Sequence, residues 1–255
     1  MTQYPLCYHQ FYSAMFWRID MSFWPAKNLN WSKEHFLILF TGLIGLVNLW
    51  MIFIWVPTER SMGLVQRLFY IHVPTVWVGF IAFGFVALAS ALYLFERDSK
   101  WDRRASATAE IGLILLSVSM ASGAMWAKPV WGTWWTWDPK LTSVFVLWVI
   151  FIGYLMVRVY ASSMRQAATW SSIVGIIGFA NVPIVYLASM WWRSLHPELV
   201  TGPLSESGSL HPDMRTVLYF STFVFLVLFL SLTQLRLSMK NSEEEFEKFH
   251  KELLT

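Results

Sequence analysis

The sequence predicts an all-α integral membrane protein with six transmembrane helices, both termini cytoplasmic, and a short outward-facing interfacial segment between helices 3 and 4. Three observations lead there. First, 56% of the 255 residues are hydrophobic and only 14% charged, with a mean hydropathy of +0.48, too apolar for a soluble domain of this length. Second, six runs free of charged residues are each long enough to cross a hydrocarbon core of about 30 Å. Third, Lys and Arg fall unequally on the two sides that those runs define.

The first run, Phe36 to Val56, follows a tail of residues 1–35 that has no compact basic region, apolar stretch and small-residue cleavage site. That tail is expected to be a mature cytoplasmic segment, and the first span its own insertion signal. The second run is Pro74 to Phe95. The third, Ile111 to Ala127, has Glu110 at its edge, the nearest approach to an intramembrane charge. A proton-coupled or ion-coupled transporter would carry ionisable groups deeper in the bilayer. The fourth run is Leu141 to Val157, entered through Asp138-Pro139, where proline lacks a donor and restricts its predecessor. The fifth is Trp170 to Trp192 and the sixth Thr216 to Leu235. Residues 36–235 therefore read as one membrane domain. Residues 236–255 read as a cytoplasmic tail helix, with Ser242 and Glu245 as a capping box and Phe246, Phe249 and Leu253 on one stripe.

Thirteen Lys and Arg lie in the two tails and in loops two and four, against six in loops one, three and five. The positive-inside rule then places both termini in the cytoplasm and the odd-numbered loops outside. The net charge of +3 reports orientation in the membrane and not nucleic-acid binding. A single cysteine, Cys7, excludes an intrachain disulfide framework and cysteine-based metal sites. No phosphate-binding GxxxxGK[ST] loop is present, so the chain does not hydrolyse ATP itself. No catalytic residue is nominated.

The outward loops hold the informative residues. His72 precedes span two in "LFYIHVPTVW", His196 follows span five in "WWRSLHPELV", and His211 lies farther along the same loop. A lone histidine at a helix end is commonly an interfacial residue satisfied by a carbonyl. Two on one outer edge, with a tryptophan-rich loop between their helices, suit the axial ligation of haem iron. The loop "WGTWWTWDPK" supplies Trp131, Gly132, Trp134, Trp135, Trp137, Asp138 and Lys140. As a helical turn it would stack Trp131, Trp134 and Trp135 on one face, an apolar surface for a porphyrin. Arg67, Lys128, Lys140 and Arg193 are the outward cations available to its propionates.

"WGTWWTWDPKLTS", "YIHVP" and "WWRSLHP", in this order and spacing, resemble the tryptophan-rich haem-handling membrane proteins. Within them they resemble the cytochrome c maturation protein C (haem exporter protein C) family of bacterial system I. The likeness covers about residues 36–235 and leaves both tails out. Lys140 stands where that family's pattern usually has arginine, a point charge in place of a planar fork, and Pro197 where a polar residue is common. The resemblance implies a multi-pass protein of the bacterial inner membrane. It implies non-covalent, b-type haem held on the periplasmic face, with His72 and His196 as axial ligands and the tryptophan loop as platform. It further implies delivery to a membrane-anchored haem chaperone, cytochrome c maturation protein E, and a complex with the ABC-transporter subunits (maturation proteins A and B) and a small membrane protein (maturation protein D). Two other classes compete on the residues alone. A b-type cytochrome subunit would place its histidines within the spans, and an ABC permease subunit would carry a sizeable cytoplasmic coupling loop.

Overall fold

The computed structural model describes residues 33–196 and 210–254. All six expected spans are present as helices: α1 (Lys33–Trp50), α2 (Phe69–Glu96), α3 (Ser99–Trp131), α4 (Pro139–Tyr160), α5 (Met164–Trp191) and α6 (Pro212–Leu254). Each is long and apolar enough to cross a membrane. Among the described residues there is no β-strand, only an isolated bridge between Glu59 and Gly63. The chain is a multi-pass, all-α membrane protein.

The helices overrun the apolar stretches that announced them. α2 starts at Phe69 and not at Pro74, because a 3-10 turn over Leu64–Leu68 leads directly into it. α3 starts at Ser99, twelve residues before its apolar run, where the Asp98 side chain caps it by accepting from the Lys100 amide. Hydropathy marks where a helix meets lipid, and hydrogen bonding continues past that point. The last turn of the first span, Met51–Trp55, widens to π-helical geometry.

α2 is the central helix, packing against α3, α5 and α6, while α4 packs on α5 and α1 on α6. Close approach is possible because α3 and α5 present small residues: Ala105, Ser106, Ala109 and Ser119 on α3, and Ala168, Ser171 and Ser172 on α5, are buried. Where lipid is as apolar as the side chains, such packing supplies the association. The principal core joins Phe83 and Val86 of α2, Leu116 of α3, Leu147, Phe151 and Tyr154 of α4, and Val185 of α5. Phe83 and Phe151 stack with ring centres 3.6 Å apart. A second core ties Ile52 and Val56 to Tyr70, Val217 and Leu218 where α1, α2 and α6 meet.

At the end of the bundle where α3 begins, charges are paired across helices. Arg158 of α4 grips Asp102 of α3 with two bonds of 2.5 and 2.9 Å and also donates to Ser171 of α5. Glu110 is met by Arg236 at 2.6 Å and Lys240 at 2.7 Å, both from α6. These two cations lie beyond the sixth apolar run, yet α6 continues unbroken through them. Ser242 consequently caps nothing: its hydroxyl donates back to the Ser238 carbonyl within the continuous helix, which corrects the expected capping box.

Candidate functional site

α2, α4 and α6 begin, and α3 and α5 end, at the opposite end of the bundle, and they enclose a cavity of about 790 Å³. This volume is within the ~300–1,000 Å³ usual for small-molecule and cofactor sites. His72 and His196 both line it. Their ring centres are 6.3 Å apart with the planes inclined by 38°. His72 belongs to the first turns of α2, not to the preceding loop, and its Nδ1 lies 2.9 Å from the main-chain oxygen of Ser119 on α3. His196 follows the end of α5, where its amide donates to the Ser194 hydroxyl. His211 and Asp213, at the start of α6, also border the cavity, and the Asp213 amide donates to His211 Nδ1 at 3.3 Å.

The tryptophan stretch is not helical. Trp131 is the last residue of α3, Gly132 caps that helix in the left-handed region at φ +76, and residues 132–138 are irregular. A left-handed C-cap is a position glycine fills without strain, so it ended the turn expected to align the indoles. Their roles separate as a result. Trp131, Trp134 and Trp135 line the cavity, and Trp131 sits edge-on to His196 at 6.5 Å. Trp137 is 70% exposed and packs on Phe145 of α4 outside the cavity lining. Asp138 is the N-cap of α4, accepting from the amides of Lys140 and Leu141 and from the Thr136 hydroxyl.

The four expected cations also part company. Lys140 lines the cavity, with its ammonium 3.1 Å from the Ser189 hydroxyl of α5. Lys128 donates to the Gly132 carbonyl and so closes the end of α3. Arg67 packs over the Phe53 ring at 5.8 Å, and Arg193 is exposed. Neither is among the cavity residues. Sequence reasoning missed Trp126, Met120, Gly123 and Tyr186, all of which line the cavity. Trp126 sits edge-on to Trp131 at 5.3 Å. Their only signal was helical phase: Met120 and Gly123 fall one turn apart on the face of α3 that meets His72. The loop after α1 adds Glu59, whose carboxylate is held below its usual range by the amide of Met62 and the hydroxyl of Ser61, as a pinned anion at the cavity rim.

Three imidazoles border the cavity, and those of His72 and His196 face each other as a ring pair. Among the described residues no cluster of three or more His, Cys, Asp or Glu could hold a bare metal ion. Two trans protein ligands suit a metal that brings its equatorial ligands with it, as haem does. With metal–imidazole bonds of about 2 Å and roughly 1 Å more from each nitrogen to its ring centre, two trans imidazoles place their centres about 6 Å apart. The 6.3 Å between the ring centres is compatible with that distance, so His72 and His196 would be the residues to hold the metal, and the surrounding indoles would offer apolar surface to a macrocycle.

Known proteins resemble this chain in sequence over most of its length. A family model described as heme exporter protein C matches residues 23–251. Heme exporter protein C of Escherichia coli (strain K12) is 32% identical over 181 residues, 71% of this chain and 72% of the relative. Heme exporter protein C of Haemophilus influenzae is 29% identical over 84% of this chain and 86% of its own length. A ccmC-like mitochondrial protein of cytochrome c biosynthesis from Marchantia polymorpha is 32% identical over 68% of this chain and 74% of its own. With nearly its full length matched and its paired histidines and tryptophan loop at one end of a six-helix bundle, the chain belongs to the heme exporter protein C family.

Proposed function

We propose that this protein binds haem between His72 and His196 at the periplasmic face of a bacterial inner membrane and delivers it to a membrane-anchored haem chaperone during cytochrome c maturation. The observation that carries the reading is the 6.3 Å separation of two imidazoles bordering one aromatic cavity. His72 and His196 ligate the iron, and haem supplies the metal and the planar ring. Trp131, Trp134 and Trp135 offer stacking surface, and Lys140 offers a counter-charge to a propionate. The haem would be b-type and non-covalent, since the sequence has a single cysteine and no CxxCH attachment motif.

Position favours transfer over storage or electron conduction. The cavity opens at the end of the bundle and not at its centre, so a bound porphyrin keeps an edge that a second protein can reach. Exposed Trp134, at 57%, and Trp137 extend an aromatic surface beside that opening, where the chaperone would dock. A complex with an ATP-hydrolysing transporter and a small membrane subunit agrees with the absence of a phosphate loop in this chain.

The test is spectroscopic. Detergent-purified protein from haem-replete cells should carry a bis-imidazole absorption spectrum. His72→Ala and His196→Ala should each lose or alter it, with partial recovery when free imidazole fills the open position. His9→Ala, His35→Ala and His250→Ala should leave it unchanged. A haem-free wild-type preparation, or unaltered spectra in both ligand variants, would overturn the reading.

A further inference from the structure

We propose that α3 carries a positioning cradle for His72, made of the Ser119 main-chain carbonyl and the bare Cα of Gly123. The cradle fixes both the tautomer of the imidazole and the reach of its ring toward His196. The inference rests on the reading of His72 as an iron ligand and adds residues to that site.

The tautomer follows from bond chemistry. A peptide carbonyl only accepts, so the 2.9 Å contact between His72 Nδ1 and Ser119 O requires the hydrogen on Nδ1. In the neutral ring the lone pair is then on Nε2, the nitrogen able to ligate. The Ser119 hydroxyl stands 3.3 Å from the same nitrogen, and the Ser122 hydroxyl, bonded to the Val118 carbonyl at 2.8 Å, also reaches the Ser119 carbonyl at 3.0 Å. Metal-bound histidines depend on such outer contacts for orientation and basicity.

The reach follows from space. Gly123 is four residues, one helical turn, beyond Ser119, so its Cα borders the same ring edge. A Cβ at Gly123 would stand 2.8 Å from His72 Cε1 and 3.1 Å from Nδ1. Something must then shift. The neighbours Tyr70 and Thr75 are fully buried, and the Thr75 hydroxyl is bonded to the carbonyls of Ile71 and His72, which holds the α2 backbone in place. The imidazole is what yields, moving off the Ser119 carbonyl and out of register with His196.

The experiment compares Gly123→Ala with Gly178→Ala, whose Cβ would crowd Ile150 at 2.9 Å and Phe151 at 3.0 Å in the core, away from the cavity. Both variants overpack the bundle, and only the first presses on the histidine. Gly123→Ala is expected to lower haem affinity by roughly 10- to 100-fold, as loss of outer-shell support does. Its residual spectrum should shift away from two-imidazole ligation and be partly restored by free imidazole. Gly178→Ala should change abundance and leave the spectrum per folded molecule as in the wild type. Ser122→Ala adds a second readout: without the longer of that hydroxyl's two bonds the Ser119 carbonyl is freer to accept from the His72 N–H, and the haem reduction potential should become more negative. A wild-type spectrum in Gly123→Ala beside an altered one in His72→Ala overturns the cradle alone. So does an equal spectral change in Gly123→Ala and Gly178→Ala, or a less negative potential in Ser122→Ala. An unaltered spectrum in His72→Ala removes the ligand reading and the cradle together.

Discussion

Lys140 is a cation in an apolar, indole-lined space, and its ammonium is met by a neutral hydroxyl, that of Ser189. Tyr186, one helical turn before Ser189 and on the same face of α5, also lines the cavity. Its hydroxyl is buried without a hydrogen-bond partner among the described residues, as is the indole nitrogen of Trp135. Buried donors left open in this way are costly unless a ligand completes them. All three are donors of the kind a carboxylate accepts from, and haem carries two carboxylates. Lys140→Ala is therefore expected to weaken haem retention by roughly ten- to a hundredfold, the equivalent of a charged hydrogen bond of about 1.5–3 kcal/mol. Lys140→Arg should retain most of it, and Tyr186→Phe should lose less than Lys140→Ala. Haem titration of the purified variants measures the order, and equal affinity in Lys140→Ala and wild type would count against a propionate contact. Asp138, by contrast, spends its acceptors on the first turn of α4, so asparagine should serve there with a loss of only a few tenths of a kcal/mol.

Between helices, the Asp102–Arg158 pair joins α3 to α4 with both side chains largely withdrawn from solvent, at 10% and 17% exposure. Removing one partner strands the other. Asp102→Ala should cost about 3–5 kcal/mol, whereas replacing both residues with leucine should recover much of that loss; thermal unfolding in detergent of the two proteins makes the comparison. Neither residue stood out in the sequence, and the reason is general. The spans were legible because bilayer thickness imposes a length on apolar runs, and the two histidines were legible because helix ends are easily placed. Pairings across helices depend on which faces meet, and with α3 starting twelve residues before its apolar run and α4 continuing three beyond its own, Asp102 and Arg158 read as loop charges. The tryptophan stretch failed as a helical turn for a local reason. Gly132 favoured a left-handed cap, so the 3.6-residue spacing of the indoles was never expressed in space, and only three of the four reached the cavity.

For the whole molecule, the proposed function requires that the cavity end face the periplasm, the side on which the proposed chaperone would receive haem. The helices alternate so that the end opposite the cavity holds Arg97, Lys100, Arg103, Arg104, Arg158, Arg165, Arg236 and Lys240, while the cavity end holds Arg60, Arg67, Lys128, Lys140, Arg193 and Arg215. The structure therefore keeps the charge bias that the loops alone suggested, and it assigns some of the charge to internal pairs. Arg158, Arg236 and Lys240 are engaged with Asp102 and Glu110, but acidic residues contribute little to the positive-inside rule, so these pairs leave the bias in place. The expected topology follows. Reporter fusions truncated after Arg67, Pro139 and Pro203 should behave as periplasmic, and those after Asp102 and Gln166 as cytoplasmic. Reducing the bias should weaken it: replacing Arg97, Arg103 and Arg104 together with glutamine leaves the Asp102–Arg158 pair intact and removes three of the positive charges between spans two and three. That variant should show mixed orientation in the same fusions and a proportional loss of haem-loaded protein. A uniform topology with the signs exchanged would put both histidines on the cytoplasmic side and end the case for delivery to a periplasmic partner.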